Sequence, residues 1–218
     1  MIDYAAARLN MVEGQLRTNG IVDPMEQEAF LAVPRERFVP EALRGAAYVD
    51  DNLPLGNGRY LMEPLVLARL IQLAELHPSA RVLCVGAGSG YDAAILAHLA
   101  TTVIALESDP ALAATARREL GELGHSNVSV IEGPLEDGRV ADAPYDAILF
   151  GGAIAEVSDP IVRQLALTGR ITAVVRAEDR MSQVMVMTRA GAVLSRRPVF
   201  DAATPALPGF ASQPAFVF

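Results

Sequence analysis

The sequence contains no lysine, no tryptophan and a single cysteine in 218 residues. One cysteine, Cys84, excludes both an internal disulfide framework and a cysteine-based zinc site. All 18 basic residues are arginines, and 26 acidic residues bring the net charge to −8. Because an acidic surface repels phosphate backbones, this charge disfavours nucleic acid as a partner. The three histidines are isolated in the sequence, so no metal site is expected.

Long apolar runs are also missing. The longest one, Ala93 to Leu106, is interrupted by His98, Thr101 and Thr102, and it is too short and too polar to span a bilayer. The first four residues, Met1 to Tyr4, show no basic segment ahead of an apolar one, so no secretory signal is expected. With 51% hydrophobic and 20% charged residues, the composition is that of an ordinary globular protein. We expect a cytoplasmic protein with no membrane partner.

The first third of the chain predicts helices and loops. A helix begins at Asp23-Pro24 and ends before Pro34, an irregular stretch follows from Tyr48 to Tyr60, and an amphipathic helix covers Pro64 to Glu75. We therefore assign residues 1–76 to an N-terminal extension that contributes to a substrate site. Residues 77–218 are assigned to a Rossmann-like core, and the whole chain is expected to form one compact domain.

From Arg81 onward, short apolar runs alternate with helical patterns, which indicates an α/β fold with a twisted, mostly parallel sheet and helices on both faces. An antiparallel hairpin from about Gln183 to Val199 is expected to close one edge. The tail, with Pro205, Pro208 and Pro214, is expected to be extended. The predicted strands are Val82–Val85, Thr102–Leu106, Val128–Ile131, Asp146–Phe150 and Ile171–Val175, and the helices between them include one from Asp159-Pro160 to about Leu167.

A glycine-rich segment, Gly86-Ala87-Gly88-Ser89-Gly90, follows the first predicted strand of the core and opens a helix. Glycines there permit a tight turn and let a ligand approach the backbone closely. Glu107, which ends the next strand, can accept hydrogen bonds from both hydroxyls of a ribose. The Gly-x-Gly-x-Gly spacing, and Asp92 in the first turn of the helix, disfavour a dinucleotide pyrophosphate. A ligand with a sulfonium and an amino-acid end suits this loop better.

These residues resemble the protein-L-isoaspartate O-methyltransferase family, whose members use S-adenosylmethionine to methylate isoaspartyl carboxylates in damaged proteins. The resemblance extends to about Val175. It implies a cofactor site made by Gly86, Ala87, Gly88, Ser89, Gly90, Glu107, Ser108 and Leu135. The segments that carry it are Val82–Tyr91 with Ala93-Ala94 and Leu96-Ala97, Val33–Pro40, Ala47-Tyr48, Leu53–Gly56, Pro144–Ile148 and Gly169-Arg170.

Four positions depart from the family pattern. Met62 stands where the family has a serine, and Glu63 stands where it has an amide, so no catalytic residue is assigned. Cys84 replaces an acidic residue two positions before the first glycine. Pro134 replaces an aspartate that contacts the adenine amine, and it offers neither a carboxylate nor an N–H group.

Four functions remain open from the sequence. The first is isoaspartyl methylation with reduced or altered activity, and the second is a catalytically impaired cofactor-binding or scaffold homologue, which the changes at Met62, Glu63 and Pro134 favour. Methylation of a small molecule is also open, because a fold does not fix a substrate. A nicotinamide-dependent oxidoreductase is disfavoured by the glycine spacing.

Overall fold

The computed structural model describes residues 2–176, 181–191 and 193–210, and its centre is a seven-stranded sheet in the order β5-β4-β3-β6-β7-β8-β9. The strands are β1 Leu53–Gly56, β2 Arg59–Leu61, β3 Arg81–Val85, β4 Thr102–Glu107, β5 Val128–Glu132, β6 Tyr145–Phe150, β7 Leu165–Val175, β8 Gln183–Ala190 and β9 Val193–Asp201. The α-helices are α1 Tyr4–Met11, α2 Pro24–Ala32, α3 Pro64–Ala74, α4 Tyr91–Ala97, α5 Pro110–Glu122 and α6 Asp159–Arg163. A π-helical turn covers Val12–Leu16, and 3₁₀ turns cover Arg17–Asn19, Arg35–Phe38, Glu41–Ala46 and Val140–Asp142.

The middle of the sheet is parallel. Strand β3 pairs in parallel with β4 on one side and with β6 on the other, and β5 and β7 continue the parallel sheet outward. Its residues Val82 to Val85 are buried, which explains why they form a continuous apolar run rather than an alternating one. The predicted parallel sheet, with β3 in its interior, is therefore confirmed.

The predicted hairpin is also confirmed. Strand β8 pairs antiparallel with β7 and with β9, so that β9 forms the edge of the sheet. The proline-containing tail is described only as far as Phe210, and the predicted extended conformation at Pro214 lies outside the described residues.

The segment ahead of β3 packs on the same sheet. Strands β1 and β2 form a separate antiparallel pair, and the helices around them close over α4, where Phe30 and Phe38 each make edge-on contact with the Tyr91 ring. Arg37 donates to Glu119 on α5 at 2.7 Å, which joins this segment to the core. The predicted division between residues 1–76 and 77–218 stays a prediction.

The predicted extension of the sixth helix was wrong. Helix α6 ends at Arg163, and β7 begins at Leu165. The reason lies in Gln164 between them, which is 3% exposed. Its side chain accepts from the Arg139 N–H at 2.7 Å and donates to the Asp137 carbonyl, while its own carbonyl accepts from the Tyr145 N–H. These bonds end the helix at Arg163, about four residues before the predicted end at Leu167. Among the described residues, no helix is long and apolar enough to cross a membrane.

Candidate cofactor site

The glycine-rich segment forms a tight loop at the carboxyl end of β3. Gly86, Gly88 and Gly90 have φ angles of +76°, +56° and +102°, a region that side chains other than hydrogen strongly disfavour. The Gly86 and Ala87 N–H groups both donate to the Leu106 carbonyl, at 2.8 and 3.0 Å. The loop therefore lies beside the end of β4, where open α/β sheets bind their ligands.

Glu107, at the end of β4, is completely buried. Its carboxylate accepts from the backbone N–H groups of Gly88, Ser108 and Asp109, at 2.6, 2.8 and 2.9 Å. These three donors fix the orientation of the carboxylate. The structure thus brings together the glycine loop, Glu107 and Ser108, as the sequence predicted for a nucleoside site, while their role in binding a cofactor stays a prediction.

The same carboxylate is also bound to a residue that the sequence analysis missed. Arg59, on β2, is 3% exposed. Its two terminal nitrogens lie 3.0 and 3.3 Å from the two Glu107 oxygens, and one of them also donates to the Gly86 carbonyl at 2.9 Å. Arg59 and Glu107 are 48 residues apart in the sequence. No local pattern links them, so only the tertiary structure reveals the pair.

A second element, which we call the strap, covers the glycine loop and consists of residues 205–210. The strap runs beside the segment after β6, where Ala153 donates to the Pro205 carbonyl at 2.9 Å and accepts from the Leu207 N–H at 2.7 Å. A Cβ atom at Gly86 would lie 2.5 Å from Leu207 Cδ1, and one at Gly88 would lie 3.0 Å from Leu55 Cδ1. Apolar side chains therefore lie directly against the loop.

The remaining predicted cofactor residues have other contacts in this conformation. Ser89 is buried, and its hydroxyl donates to the Phe38 carbonyl. Ser108 is exposed at the end of β4. Leu135 is 1% exposed and belongs to the same apolar cluster as Leu106. Ser89 thus connects the loop to the N-terminal segment. Leu135 packs in the apolar cluster that contains Leu106 of β4.

Asp92 lies beside the loop, in the first turn of α4, and is 6% exposed. Among the described residues, its Oδ1 atom has no hydrogen-bond partner. A Cβ atom on Gly151 would lie 3.3 Å from its Oδ2 atom. Burial raises the pKa of Asp92 to about 6, against the opposing effect of Arg35 and Arg59. A buried carboxyl group with one unpartnered oxygen among the described residues therefore lies close to the glycine loop.

Two of the positions that depart from the family pattern, Met62 and Glu63, are buried or partly buried. Met62 is 1% exposed, and its side chain packs in the core. Its backbone carbonyl accepts a 2.6 Å hydrogen bond from the buried Arg35 side chain. Glu63 is partly buried, and its burial together with Asp50 and Asp51 raises its pKa.

Cys84 is a free, buried thiol, and burial raises its pKa well above the ordinary value. It therefore packs as a small apolar residue rather than serving as a nucleophile. Pro134 is exposed.

One contact between histidines was not expected. The rings of His98 and His125 lie 5.2 Å apart, edge to face, although the two residues are distant in the sequence, near the ends of α4 and α5. Within the described part of the chain, no group of three or more histidine, cysteine, aspartate or glutamate side chains could hold a metal ion.

The chain is similar to one family over most of its length. The family model described as protein-L-isoaspartate(D-aspartate) O-methyltransferase matches residues 7–198. The chain is 42% identical over 182 residues to protein-L-isoaspartate O-methyltransferase 2 of Anaeromyxobacter sp., covering 84% of this chain and 75% of that protein. It is 40% identical over 193 residues to protein-L-isoaspartate O-methyltransferase 1 of Syntrophobacter fumaroxidans, covering 88% of each.

Solved structures share the fold. One, a protein-L-isoaspartate O-methyltransferase, superposes with a TM-score of 0.82 at 24% identity, covering 93% of this chain and 66% of that one. Another, a Plasmodium falciparum structure described as a protein-L-isoaspartate O-methyltransferase in complex with S-adenosyl-L-homocysteine, gives a TM-score of 0.77 at 21% identity. It covers 95% of this chain and 99% of that one.

Proposed function

Because this chain belongs to the protein-L-isoaspartate(D-aspartate) O-methyltransferase family, we propose that it methylates the carboxylate of isoaspartyl residues in damaged proteins, at a reduced rate. The family is S-adenosylmethionine-dependent, and this cofactor supplies the methyl group. The proposal includes the cytoplasmic location expected from the sequence.

One observation carries the proposal. Within the matched region, the glycine loop at the end of β3 lies against the Glu107 carboxylate at the end of β4, which accepts a 2.6 Å hydrogen bond from the Gly88 N–H. This arrangement suits a nucleoside, because the carboxylate can accept from ribose hydroxyls while the side-chain-free loop admits close approach. The residues therefore fit the cofactor chemically, although Arg59 and Leu207 now take the space beside them.

The chemistry requires positioning more than proton transfer. An isoaspartyl carboxylate is ionised at neutral pH, so it needs no general base. S-adenosylmethionine, when bound, would supply an electrophilic methyl group to one carboxylate oxygen, and S-adenosylhomocysteine would be the second product. The task of this chain's residues is to hold the oxygen in line with the methyl group.

Two departures from the family pattern, Met62 and Glu63, disfavour an anionic acceptor. Met62 offers no hydrogen-bond donor and is buried, so it cannot orient a carboxylate as a serine would. Loss of one charge-assisted hydrogen bond costs about 1.5–3 kcal/mol, or roughly 10- to 150-fold in rate. Glu63 adds a negative charge close to Asp50 and Asp51, and like charges there repel an isoaspartyl carboxylate. Both changes predict slow turnover.

The test is a paired substitution, Met62→Ser with Glu63→Gln, assayed with an isoaspartyl peptide and with the matching aspartyl peptide. The serine supplies a donor and the amide removes a like charge, so the rate with the isoaspartyl peptide should rise roughly 10-fold or more. The aspartyl peptide should gain almost nothing, because the position of the carboxylate is recognised rather than its acidity.

The single variant Glu63→Gln is the control that separates charge from hydrogen bonding. Because Met62 is buried, its truncation costs about 2–4 kcal/mol, and thermal unfolding must show that the pair still folds. A folded pair that binds cofactor but methylates neither peptide would contradict the proposed substrate.

A catalytically impaired homologue that binds cofactor or serves as a scaffold is the second candidate. The observation that favours it is the buried pair of Arg59 and Glu107, since it takes up the carboxylate that a ribose would need. Cofactor binding without methyl transfer in every variant would favour this candidate.

A further inference from the structure

The guanidinium of Arg59 binds Glu107 in the manner of a ribose. Two donors of one planar group meet the two oxygens of the carboxylate, at 3.0 and 3.3 Å, as the paired hydroxyls of a ribose would. We propose that Arg59, with Leu207 of the strap, forms an internal latch that occupies the nucleoside site and must be displaced before S-adenosylmethionine binds. This inference rests on the proposed function, because it concerns the cofactor of that reaction.

Glu107 has no capacity for a ribose while the latch is closed. An ionised carboxylate offers about four lone-pair sites. In the structure it already accepts two N–H groups from Arg59 and one each from Gly88, Ser108 and Asp109. Its exposed fraction is 0%. A ribose can therefore bind Glu107 only by replacing Arg59, since the other three donors belong to the backbone of the site itself.

Leu207 covers a part of the glycine loop that Arg59 does not cover. Ideal Cβ positions at Gly86 and Gly152 lie 2.5 and 3.2 Å from atoms of the Leu207 side chain, and the Gly86 position also lies 3.0 Å from an Arg59 nitrogen. Both latch residues thus meet at Gly86. A ligand that approaches the backbone of this loop would collide with them.

The latch is built on elements outside the seven-stranded sheet. Arg59 lies on the β1–β2 pair, which forms its own two-stranded sheet with three aligned residue pairs. Outside the Arg59 contacts, its turn is held to the core by a 2.7 Å hydrogen bond from Asn57 to Asp109. Leu207 lies on the strap, outside the named strands. Neither element contributes a strand to the seven-stranded sheet or one of the three backbone donors of Glu107.

In the free protein, Arg59 is the charged partner of the buried Glu107 carboxylate. In the bound protein, the ribose hydroxyls replace the two N–H donors and the guanidinium reaches water. The apparent affinity for the cofactor is then reduced by the fraction of molecules in which the latch is open.

The test is isothermal titration calorimetry with S-adenosylhomocysteine on the parent chain, Arg59→Gln and Arg69→Gln. Glutamine removes the charge and one of the two matched donors, so Arg59→Gln should bind about 10- to 100-fold more tightly, as expected when the binding-competent fraction rises from a few per cent towards one. Arg69 donates to Gln72 and to the Asn19 carbonyl, away from Glu107, so its variant should bind like the parent.

Equal or weaker binding by Arg59→Gln overturns the latch. Absence of binding by both the parent and Arg59→Gln also overturns it, because removal of the guanidinium should open the site. Tight binding by Arg59→Gln without methylation of an isoaspartyl peptide supports the latch and contradicts the proposed function instead. The two ideas therefore fail separately.

A second measurement covers the case in which Arg59→Gln does not fold. The chain has no tryptophan, so Tyr60→Trp places a single tryptophan, which can be excited selectively, next to Arg59 on β2, at a position that is 37% exposed. Saturating S-adenosylhomocysteine should shift its emission, whereas Leu167→Trp, at an exposed site on β7, should not respond. Binding heat without any shift at position 60 overturns displacement of the latch.

Discussion

Asp92 illustrates how the site combines burial with charge. Its carboxylate is 6% exposed, and its Oδ1 atom has no partner in the described part of the chain. The charged groups that act on it are Arg35 and Arg59, and it acts in turn on Tyr91 and Cys84. Desolvation outweighs the two arginines, so the pKa of Asp92 rises from 3.8 to about 6. The folded protein therefore holds a proton at Asp92 in a range where the unfolded chain has lost it.

This difference predicts a pH dependence of stability. Between about pH 4 and pH 6 the folded state binds more protons than the unfolded state, so the Asp92 contribution to stability falls as the pH rises through this window. Asp92→Asn removes the titration. The unfolding free energy of the variant relative to the parent should rise by about 1–3 kcal/mol from pH 4 to pH 7, as measured by urea unfolding.

Glu26, a second carboxyl group whose pKa is raised, provides a control. Burial raises the pKa of Glu26, next to Asp23, to about 7, and Glu26→Gln should therefore change the pH dependence at a higher pH than Asp92→Asn does. If parent and Asp92→Asn show parallel pH profiles from 4 to 7, Asp92 is not destabilised by burial.

Glu107 and Arg59 show which residues of the site can be predicted from the sequence and which cannot. Glu107 could be predicted because its position follows from a local rule: the end of the strand after a glycine loop. Arg59 could not, because nothing local distinguishes a buried arginine from an exposed one in Gly58-Arg59-Tyr60. Its partner is brought to it only when the β1–β2 pair folds over the loop. The burial of Met62 could not be predicted either, since a methionine can pack in a core or line a binding site.

At the scale of elements, the close approach of β7 to β6 depends on Gly169. A Cβ atom at this position would lie 2.9 Å from the Tyr145 carbonyl oxygen and 3.0 Å from that of Asp146. These are backbone atoms, so a side chain could be accommodated only if the strands separate. The observation gives a packing reason for the Gly169-Arg170 pair.

Gly169→Ala should therefore lower the unfolding free energy by about 1–3 kcal/mol, the usual cost of overpacking. Gly121→Ala is the matched control, because Gly121 lies in α5 and a Cβ there meets nothing within 4 Å. The control should stabilise the protein by about 0.5–1 kcal/mol through helix propensity. Chemical unfolding of both variants measures the contrast, and equal effects would contradict the packing argument.

Elements with a strong pattern were predicted best. The parallel strands are continuous apolar runs. Asp23-Pro24 is a capped helix start that the structure retains, with the Asp23 side chain accepting from the Met25 N–H. The end of α6 was misplaced because Gln164 terminates it through contacts with residues 137–145. The tail was predicted only as an extended segment. Its position over the glycine loop could not be predicted, because it depends on pairing with Ala153.

At the scale of the whole molecule, the charge distribution is strongly acidic. Eighteen arginines face 26 carboxylates, for a net charge of −8. The field of such a protein attracts cationic partners and repels anionic ones, and salt screens it over about 10 Å at 0.1 M ionic strength. An isoaspartyl substrate carries an obligatory negative charge, so its flanking residues decide whether the overall interaction is attractive.

The preference among isoaspartyl substrates should therefore depend on flanking charge. At low ionic strength, a peptide with arginines on both sides of the isoaspartyl residue should show kcat/KM roughly 3- to 10-fold above that of a peptide flanked by glutamates, because long-range steering raises the association rate. The effect should reside mostly in KM, since the chemistry at the carboxylate is the same for both.

Raising the salt to about 0.5 M should bring the two peptides towards equality, because the Debye length becomes shorter than the distance between peptide and surface charges. A peptide with neutral flanks, measured over the same salt range, controls for general effects of salt on the enzyme. A preference that persists unchanged at high salt would instead require short-range contacts with the flanking side chains, and the acidic surface as a whole would not be its cause.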